Sequence, residues 1–423
     1  KSSSSSKMSA DPVVVVSALR TPICRAKRGS FAHTTPDVLL TAVLKATIER
    51  TGIDPTAIGD VVVGNVLSPG GGAAMARISQ LQAGIPYTVP LSTVNRQCSS
   101  GLQAFASVAA AIESGYYEIG IAAGVESMSL DSMSKVAPTI DFEAAKASPA
   151  ARTCLTPMGV TSENVAEKYG VTRETQDAFA AASHVKAAHA QASGWFDAEI
   201  VPVEAVVKGE KEEAAAAEDG GAAKKRAQAK KTTIVAADDG IRPKTTAEGL
   251  SSLKPVFKKG GSTTAGNSSQ MSDGAAAVLV MKQSKALALK LPVLAVLRSF
   301  SVVGVPPDIM GVGPAVAIPE ALKRAGGMRL NQVDVFEVNE AFASQATYCA
   351  EALGIPAEKL NPKGGAIALG HPLGCTGARQ IATLVHELAR TDKAIGVVSM
   401  CIGTGMGAAA VFERPKPVLR SSL

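Results

Sequence analysis

The sequence predicts an α/β protein built from two similar halves. Three observations predict it. Valine, alanine and isoleucine dominate the apolar residues while aromatics make up only 4% of the chain, a composition suited to strands covered by helices on both faces. Short β-prone apolar runs alternate with helical periodicities, first across residues 13–125 and again across 292–413. The second series echoes the first: 292–303 resembles 13–21, 333–338 resembles 60–66, and Gly374-Cys375-Thr376-Gly377 heads a helix as Cys98 to Gly101 does. Two such halves facing each other would bring their strand-end loops into one crevice.

Taken in order, residues 1–10 are a serine-rich lead with no core-forming capacity, expected to be disordered. Strand signals at 13–16 and 58–66 flank an amphipathic helix at 37–51, ended by Gly52. Gly70 to Gly72 reads as a flexible loop. A short strand at 91–95 leads into a helix marked by Leu102, Phe105, Ala109 and Ile112 and stopped by Gly115, and 119–125 is a further strand. This alternation predicts a parallel sheet. Residues 11–126 with 261–286 form the first half, which ends on a strand at 275–281. Residues 127–260 are more polar, with two helices within 161–193, and read as a substrate-facing loop domain. Within it, 208–231 is acidic, then alanine-rich, then basic, a solvated insertion without a core. Residues 287–415 make the second half and 416–423 a tail.

A net charge of +6 is compatible with an anionic substrate, but no basic cluster with interleaved aromatics points to nucleic acid. The 6 cysteines follow no disulfide framework, which argues for a reducing compartment. No apolar run is long enough to span a bilayer. There is no Walker-type phosphate loop, and Gly403-Thr404-Gly405 comes too near the end to open a dinucleotide unit.

Four strand-to-helix or strand-end junctions carry candidate chemistry. Cys98 falls in the expected first turn of a helix, where the helix dipole lowers a thiol pKa; its serine neighbours can cap the turn, and Gly101 leaves room for substrate. The bland alternative is a buried small hydrophobe. His371, between Gly370 and Pro372, opens the matching helix of the second half. Cys401 ends an apolar strand, with Gly403 two residues on to offer a backbone N–H to substrate. Asn339 follows the strand at 333–338 and could be a helix cap and nothing more.

At these residues the sequence resembles the thiolases, and among them the 3-ketoacyl-CoA thiolases of peroxisomal type. The resemblance runs from about Pro12 to Arg414 and is carried by Asn95-Arg96-Gln97-Cys98-Ser99-Ser100-Gly101, Pro157-Met158-Gly159, Thr264-Ala265-Gly266-Asn267-Ser268-Ser269, Asn339-Glu340-Ala341-Phe342, Gly370-His371-Pro372 and Cys401-Ile402-Gly403. It implies a thiolase-like fold of two βαβαβαββ halves in a layered α-β-α-β-α arrangement plus a loop domain, assembled as a homodimer or tetramer. It implies coenzyme A and 3-oxoacyl-CoA thioesters as substrates, with no tightly bound cofactor. By resemblance Cys98 is the nucleophile, His371 its base, Cys401 the acid for carbon, Asn339 the holder of a water, and the Gly403 N–H an oxyanion donor. Ser269 would contact coenzyme A, and Met158 and Phe342 would wall the acyl pocket, although plain packing explains those three almost as well.

No metal is required, since Cys98, Cys401 and His371 include no close ligand pair in sequence. A peroxisome or related microbody follows from the subtype, with mitochondrion or cytosol as alternatives. The end Ser421-Ser422-Leu423 approaches a peroxisomal address without its lysine, and no targeting leader is recognisable before Met8. Competing readings are an acetoacetyl-CoA thiolase running toward condensation, a decarboxylating ketoacyl synthase, which would not need a second thiol, and a non-catalytic thiol protein that binds metal or senses redox state.

Overall fold

The computed structural model describes residues 11–131, 139–207 and 231–415. The serine-rich lead, nearly all of the charged insertion and the tail lie outside the described residues. The strands are β1 (Val13–Arg20), β2 (Cys24–Arg25), β3 (Asp60–Gly64), β4 (Leu91–Val94), β5 (Ile119–Ser127), β6 (Val203–Val206), β7 (Thr232–Val235), β8 (Ser272–Lys282), β9 (Ala295–Gly304), β10 (Val335–Val338), β11 (Ile395–Ile402) and β12 (Met406–Glu413). The helices are α1 (Pro36–Thr51), α2 (Ala73–Gln82), α3 (Ser100–Glu113), α4 (Phe142–Ala147), α5 (Pro149–Thr153), α6 (Met158–Tyr169), α7 (Arg173–Ala192), α8 (Ala247–Ser251), α9 (Gln283–Ala288), α10 (Gly313–Arg324), α11 (Ala343–Leu353), α12 (Ala366–Leu369) and α13 (Leu373–Arg390).

The strands of the first half run in the order β4-β3-β5-β8-β1, and those of the second in the order β10-β11-β12-β9. Only Val14 with Val296 and Val15 with Ala295 join the two sets. The expected parallel sheet is corrected to a mixed one. β3, β4 and β5 are parallel, and so are β10 and β11, but β8 and β12 return antiparallel. For β12 the reason is connection length: β11 reaches it through a tight turn, which permits only an antiparallel neighbour. The halves match strand for strand, except that the partner of β4 shrinks to a single parallel bridge between Leu360 and Phe336.

The apolar residues sort into layers. Helices α1 and α2 cover the outer face of the first sheet with Leu39, Leu40, Val43, Leu44 and Ala76. Helix α10 covers the outer face of the second sheet with Ala317, Ile318, Ala321 and Leu322. Between the sheets lie α3 and α13, which share one cluster with both inner faces, including Leu102, Phe105, Ile381, Leu384, Val278 and Phe412. The resulting α-β-α-β-α stack explains the composition: strands buried on both faces leave no place for alternating polar residues, and every residue of β1 is buried.

At the centre the backbones of α3 and α13 touch. A Cβ on Gly101 would lie 2.7 Å from the Gly374 carbonyl oxygen and 2.8 Å from the Ala378 nitrogen. One on Gly377 would lie 2.7 Å from the Leu102 Cβ and collide with the Leu102 nitrogen. Gly101 therefore admits a helix, not substrate, which corrects the expectation above. Gly70, Gly71 and Gly72 form a run of left-handed residues with φ of 61°, 67° and 73°, the last packed over Asn65.

The loop domain is fastened by buried charge. Arg20 on β1 donates to Glu199 at 2.6 Å and to Asp238 at 2.7 and 3.0 Å, and Lys363 donates to the second Glu199 oxygen at 3.0 Å. Thr383 on α13 also donates to Glu199, so one carboxylate ties the loop domain to both halves. Burial alone would raise the Glu199 carboxyl, but Lys363 and Arg20 bring it down to about 2.

Substituting Gly377→Ala is expected to force α3 and α13 apart and lower stability by about 1–3 kcal/mol. Calorimetry checks this, and an unchanged unfolding midpoint would rule out the close helix contact.

Candidate active site

Cys98 sits in a turn, not in the helix. The helix starts at Ser100 with Ser99 as its N-cap residue, so Cys98 lies one position before the cap. The turn is held from both sides. Asn95 Oδ1 accepts from the Gln97 N–H at 2.9 Å, and Gln97 takes a left-handed φ of 48°. Ser100 Oγ accepts from the Arg96 N–H at 2.9 Å and donates to the Gln97 carbonyl at 2.7 Å. Ser99 Oγ donates to the Arg96 carbonyl, so the serines brace the turn before the helix and do not cap its first N–H groups.

The expected lowering of the Cys98 thiol pKa is also corrected. Burial pushes it above the ordinary range, although the Gly403 N–H and the cysteine's own N–H pull it down; the nearby Glu126 charge adds to the rise. A helix dipole acts at its first turn, and Cys98 falls just outside it. Those two N–H groups therefore both bear on one sulfur.

Cys401 is buried near the end of β11, opposite Gly407 on β12. Burial raises its thiol pKa well above the usual value, and the nearby Cys98 and Cys349 thiols raise it further. Gly403 opens the turn from β11 to β12. A Cβ there would meet only Met158 Sδ at 3.6 Å and Gln97 at 3.9 Å, so packing alone does not demand a glycine.

His371 lies between α12 and α13, buried, with its backbone N–H donating to the Gln270 carbonyl at 2.9 Å. Thr376 Oγ1 lies 2.7 Å from His371 Nδ1 and 3.0 Å from the Pro372 carbonyl, which also accepts from the Cys375 and Thr376 N–H groups. The tautomer is assigned from the other side of the ring: the Asn339 amide nitrogen at Nε2 can only donate, so the ring proton is placed on Nδ1 with Thr376 Oγ1 accepting it. The Asn339 amide donates to that Nε2 at 3.4 Å. Burial, aided by the Arg379 guanidinium, lowers His371 to about 3, so the ring is a neutral base across the working pH range.

Asn339 is no helix cap: Phe342 occupies that position for α11. Its backbone N–H donates to the Ser399 carbonyl, and its Oδ1 is buried without a protein partner, which is what an amide that holds a water needs. Met158 and Phe342 pack with Met310, Ala341 and Cys401 in one apolar cluster. Ser269 is half-buried, and its backbone N–H donates to the Ala341 carbonyl at 3.0 Å, beside that cluster. Cys98, His371, Cys401, Asn339, Gly403, Met158 and Phe342 thus belong to one neighbourhood. Among the described residues no group of three His, Cys, Asp or Glu side chains is arranged to hold a metal.

Sequence reading missed Thr376, although its place five residues beyond His371, in the first helical turn, could have suggested it. It also missed Glu126 and Arg379, whose partners come from distant segments and leave no local signal.

The layered fold of two matched halves, with Cys98, His371, Cys401 and Asn339 at its junctions, defines the class as a layered α/β enzyme. The family model described as "Thiolase, N-terminal domain" matches residues 13–284, and "Thiolase, C-terminal domain" matches 291–414. The chain belongs to the thiolase family. It is 60% identical over 411 residues to "3-ketoacyl-CoA thiolase A, peroxisomal" of Mus musculus, covering 96% of this chain and 92% of that one. The crystal structure of the dimeric peroxisomal thiolase of Saccharomyces cerevisiae superposes with a TM-score of 0.86 at 46% identity, covering 97% of this chain and 100% of that one. Another structure of the peroxisomal 3-ketoacyl-CoA thiolase of that yeast, described as five-layered with two core domains of identical topology, matches with a TM-score of 0.75 at 42% identity, covering 96% of this chain and 98% of that one.

Thr376→Val is expected to release the His371 tautomer and slow Cys98 alkylation by iodoacetamide about tenfold or more, while Thr376→Ser keeps the native rate. Nitrogen NMR of the imidazole checks the tautomer directly. A Val variant that still carries its proton on Nδ1 would refute the assignment.

Proposed function

We propose that the chain is an acyltransferase, a 3-ketoacyl-CoA thiolase of peroxisomal fatty-acid β-oxidation that works as a homodimer. It splits 3-oxoacyl-CoA with coenzyme A into acetyl-CoA and a shortened acyl-CoA. The observation that supports this reading is the buried His371 ring, with Thr376 Oγ1 2.7 Å from Nδ1 and the Asn339 amide 3.4 Å from Nε2, in a fold whose junctions also carry Cys98 and the buried Cys401.

His371 Nε2 takes the proton from Cys98, and the thiolate attacks the 3-keto carbon. The new oxyanion is received by the N–H groups of Cys98 and Gly403; loss of one such donor typically costs on the order of 3 kcal/mol in the barrier. The C2–C3 bond breaks, the acyl group stays on Cys98, and the electron pair passes to C2 as the enolate of acetyl-CoA. His371 and a water held by Asn339 stabilise the enolate oxygen. Cys401 gives its proton to C2. Its raised pKa keeps that proton in place until a carbanion can take it. Coenzyme A then loses its thiol proton to the Cys401 thiolate and attacks the acyl carbon. Cys98 leaves and recovers the proton held by His371. Coenzyme A is a substrate in this scheme, and no bound cofactor takes part.

Ser269 and the loop domain would carry coenzyme A, while Met158 and Phe342 would border the acyl chain. The names of the relatives favour cleavage over the condensation reading. They also favour the peroxisome as the compartment.

Mass spectrometry after brief exposure to a medium-chain 3-oxoacyl-CoA should find the shortened acyl group on Cys98, and none after Cys98→Ser. An adduct on another cysteine, or turnover confined to acetoacetyl-CoA, would overturn the proposal. Cys401→Ala should still take an acyl group onto Cys98 from acyl-CoA but lose thiolysis of 3-oxoacyl-CoA by on the order of 10²-fold or more. Normal thiolysis by this variant would remove Cys401 from its role.

A further inference from the structure

Glu126 is a fully buried carboxylate near the end of β5 and makes no ion pair among the described residues. Four donors converge on it. Its Oε1 accepts from the Leu67 N–H at 3.0 Å and from Asn65 Nδ2 at 3.3 Å, and its Oε2 accepts from the Val66 N–H at 3.1 Å and the Gly374 N–H at 2.9 Å. The first three donors belong to the turn after β3 in the first half. The fourth is in the first turn of α13 in the second half, three residues beyond His371.

These donors frame the nucleophile. Val66, Leu67, Met128 and Leu373 form one apolar cluster, and Cys98 packs against it. Glu126 thus holds, from behind, the seat on which Cys98 rests, and one end of that seat is the helix that carries His371 and Thr376. Only a side chain with acceptors and no donors satisfies four converging N–H groups; a glutamine amide would turn its own NH2 against two of them. Burying an unpaired carboxylate is costly, so packing alone would not select it. Burial pushes Glu126 up to about 7, while the Leu67, Gly374 and Val66 N–H groups pull it down. The titratable groups facing it are Cys98, Cys375 and Asp131, and none is a cation.

We propose that Glu126 is a positioning residue of the thiolase reaction. It locks the 65–67 turn to the start of α13, fixes Cys98 against His371, and sets a negative charge against premature ionisation of Cys98. The two N–H groups at that sulfur are then reserved for the oxyanion, and the thiol proton leaves only to His371. This inference rests on Cys98 being the nucleophile.

The test is the pH dependence of Cys98 alkylation by iodoacetamide, located by mass spectrometry, together with turnover of 3-oxoacyl-CoA by the native protein, Glu126→Gln and Glu126→Asp. Glu126→Gln should move the alkylation midpoint about one unit to lower pH, because a like charge is gone. It should also cut kcat on the order of 10²-fold through misplacement of the reacting groups. Glu126→Asp keeps the charge but is one methylene too short to bridge both segments, so its midpoint should stay native while kcat falls. A glutamate that serves only stability would leave both midpoints native, and that result, or native kcat in both variants, overturns the proposal. Should neither variant fold, the native profile decides. A carboxylate facing the thiol titrates before it and puts a shoulder in the log-rate curve, and a plain single-step curve overturns the proposal. Native protein alkylated elsewhere than at Cys98 would instead sink the catalytic assignment, and this inference with it.

Discussion

Between α3 and α13 two helix backbones meet with no side chain between them. The contact is reciprocal: Gly101 abuts Gly374 and Ala378, while Gly377 abuts Leu102, so each half supplies a glycine to receive the helix of the other. Gly64 and Gly124, on the first sheet, let α3 and α13 settle onto the strands. Since Cys98 precedes α3 and His371 precedes α13, the separation of these helices bears on the separation of Cys98 and His371, the proposed nucleophile and base. A methyl group at this crossing would be felt at the reacting atoms, because a packed interior transmits strain instead of absorbing it.

Around that crossing His371 and Cys401 are buried and Cys98 is half-buried. Burial raises both thiols and lowers the imidazole, so each group rests in its uncharged form. Fixed donors stand close by: the N–H groups of Cys98 and Gly403 at one sulfur, and the Asn339 amide at His371 Nε2. Preorganised dipoles in a water-poor site act strongly because they need no reorientation as the reaction proceeds. The hydroxyl of Thr376 meets His371 Nδ1 at 2.7 Å and so bears on which ring nitrogen holds the proton.

The loop domain meets this centre through buried charge as well as apolar contacts, such as Ala187, Phe196 and Ile200 against Ala368 and Leu369. Glu199 is shared by Arg20, Lys363 and Thr383, one from each half and one from the central helix. Glu340 makes a second tie: it accepts from Ser183 on α7, from Asn361 and from the Ile367 N–H on α12, just before His371. Removing one partner from such a buried set strands a charge, so its geometry is narrowly defined. The walls of the proposed acyl pocket, Met158 on α6 and Phe342 at the cap of α11, are therefore held in register with the sulfurs.

Much of this was legible in the linear chain. Apolar runs of four or five residues marked β1, β3 and β5, glycine stops marked the ends of α1 and α3, and the echo between halves foretold the duplicated fold. Cys98, His371, Cys401 and Asn339 stood out because each sits at a junction that local propensity can place. The sequence by itself thus determined which segments form strands and helices and which junctions carry reactive groups. Only the tertiary structure decided that the sheets are mixed, that Gly101 admits a helix, that Cys98 lies outside the helix and its thiol pKa is raised, and that Thr376 meets the His371 ring while Glu126 bridges the two halves. The physical reason is that hydrophobic period and turn chemistry act over a few residues, whereas burial, charge and backbone contact depend on groups hundreds of residues away, such as the Gly374 N–H against Glu126.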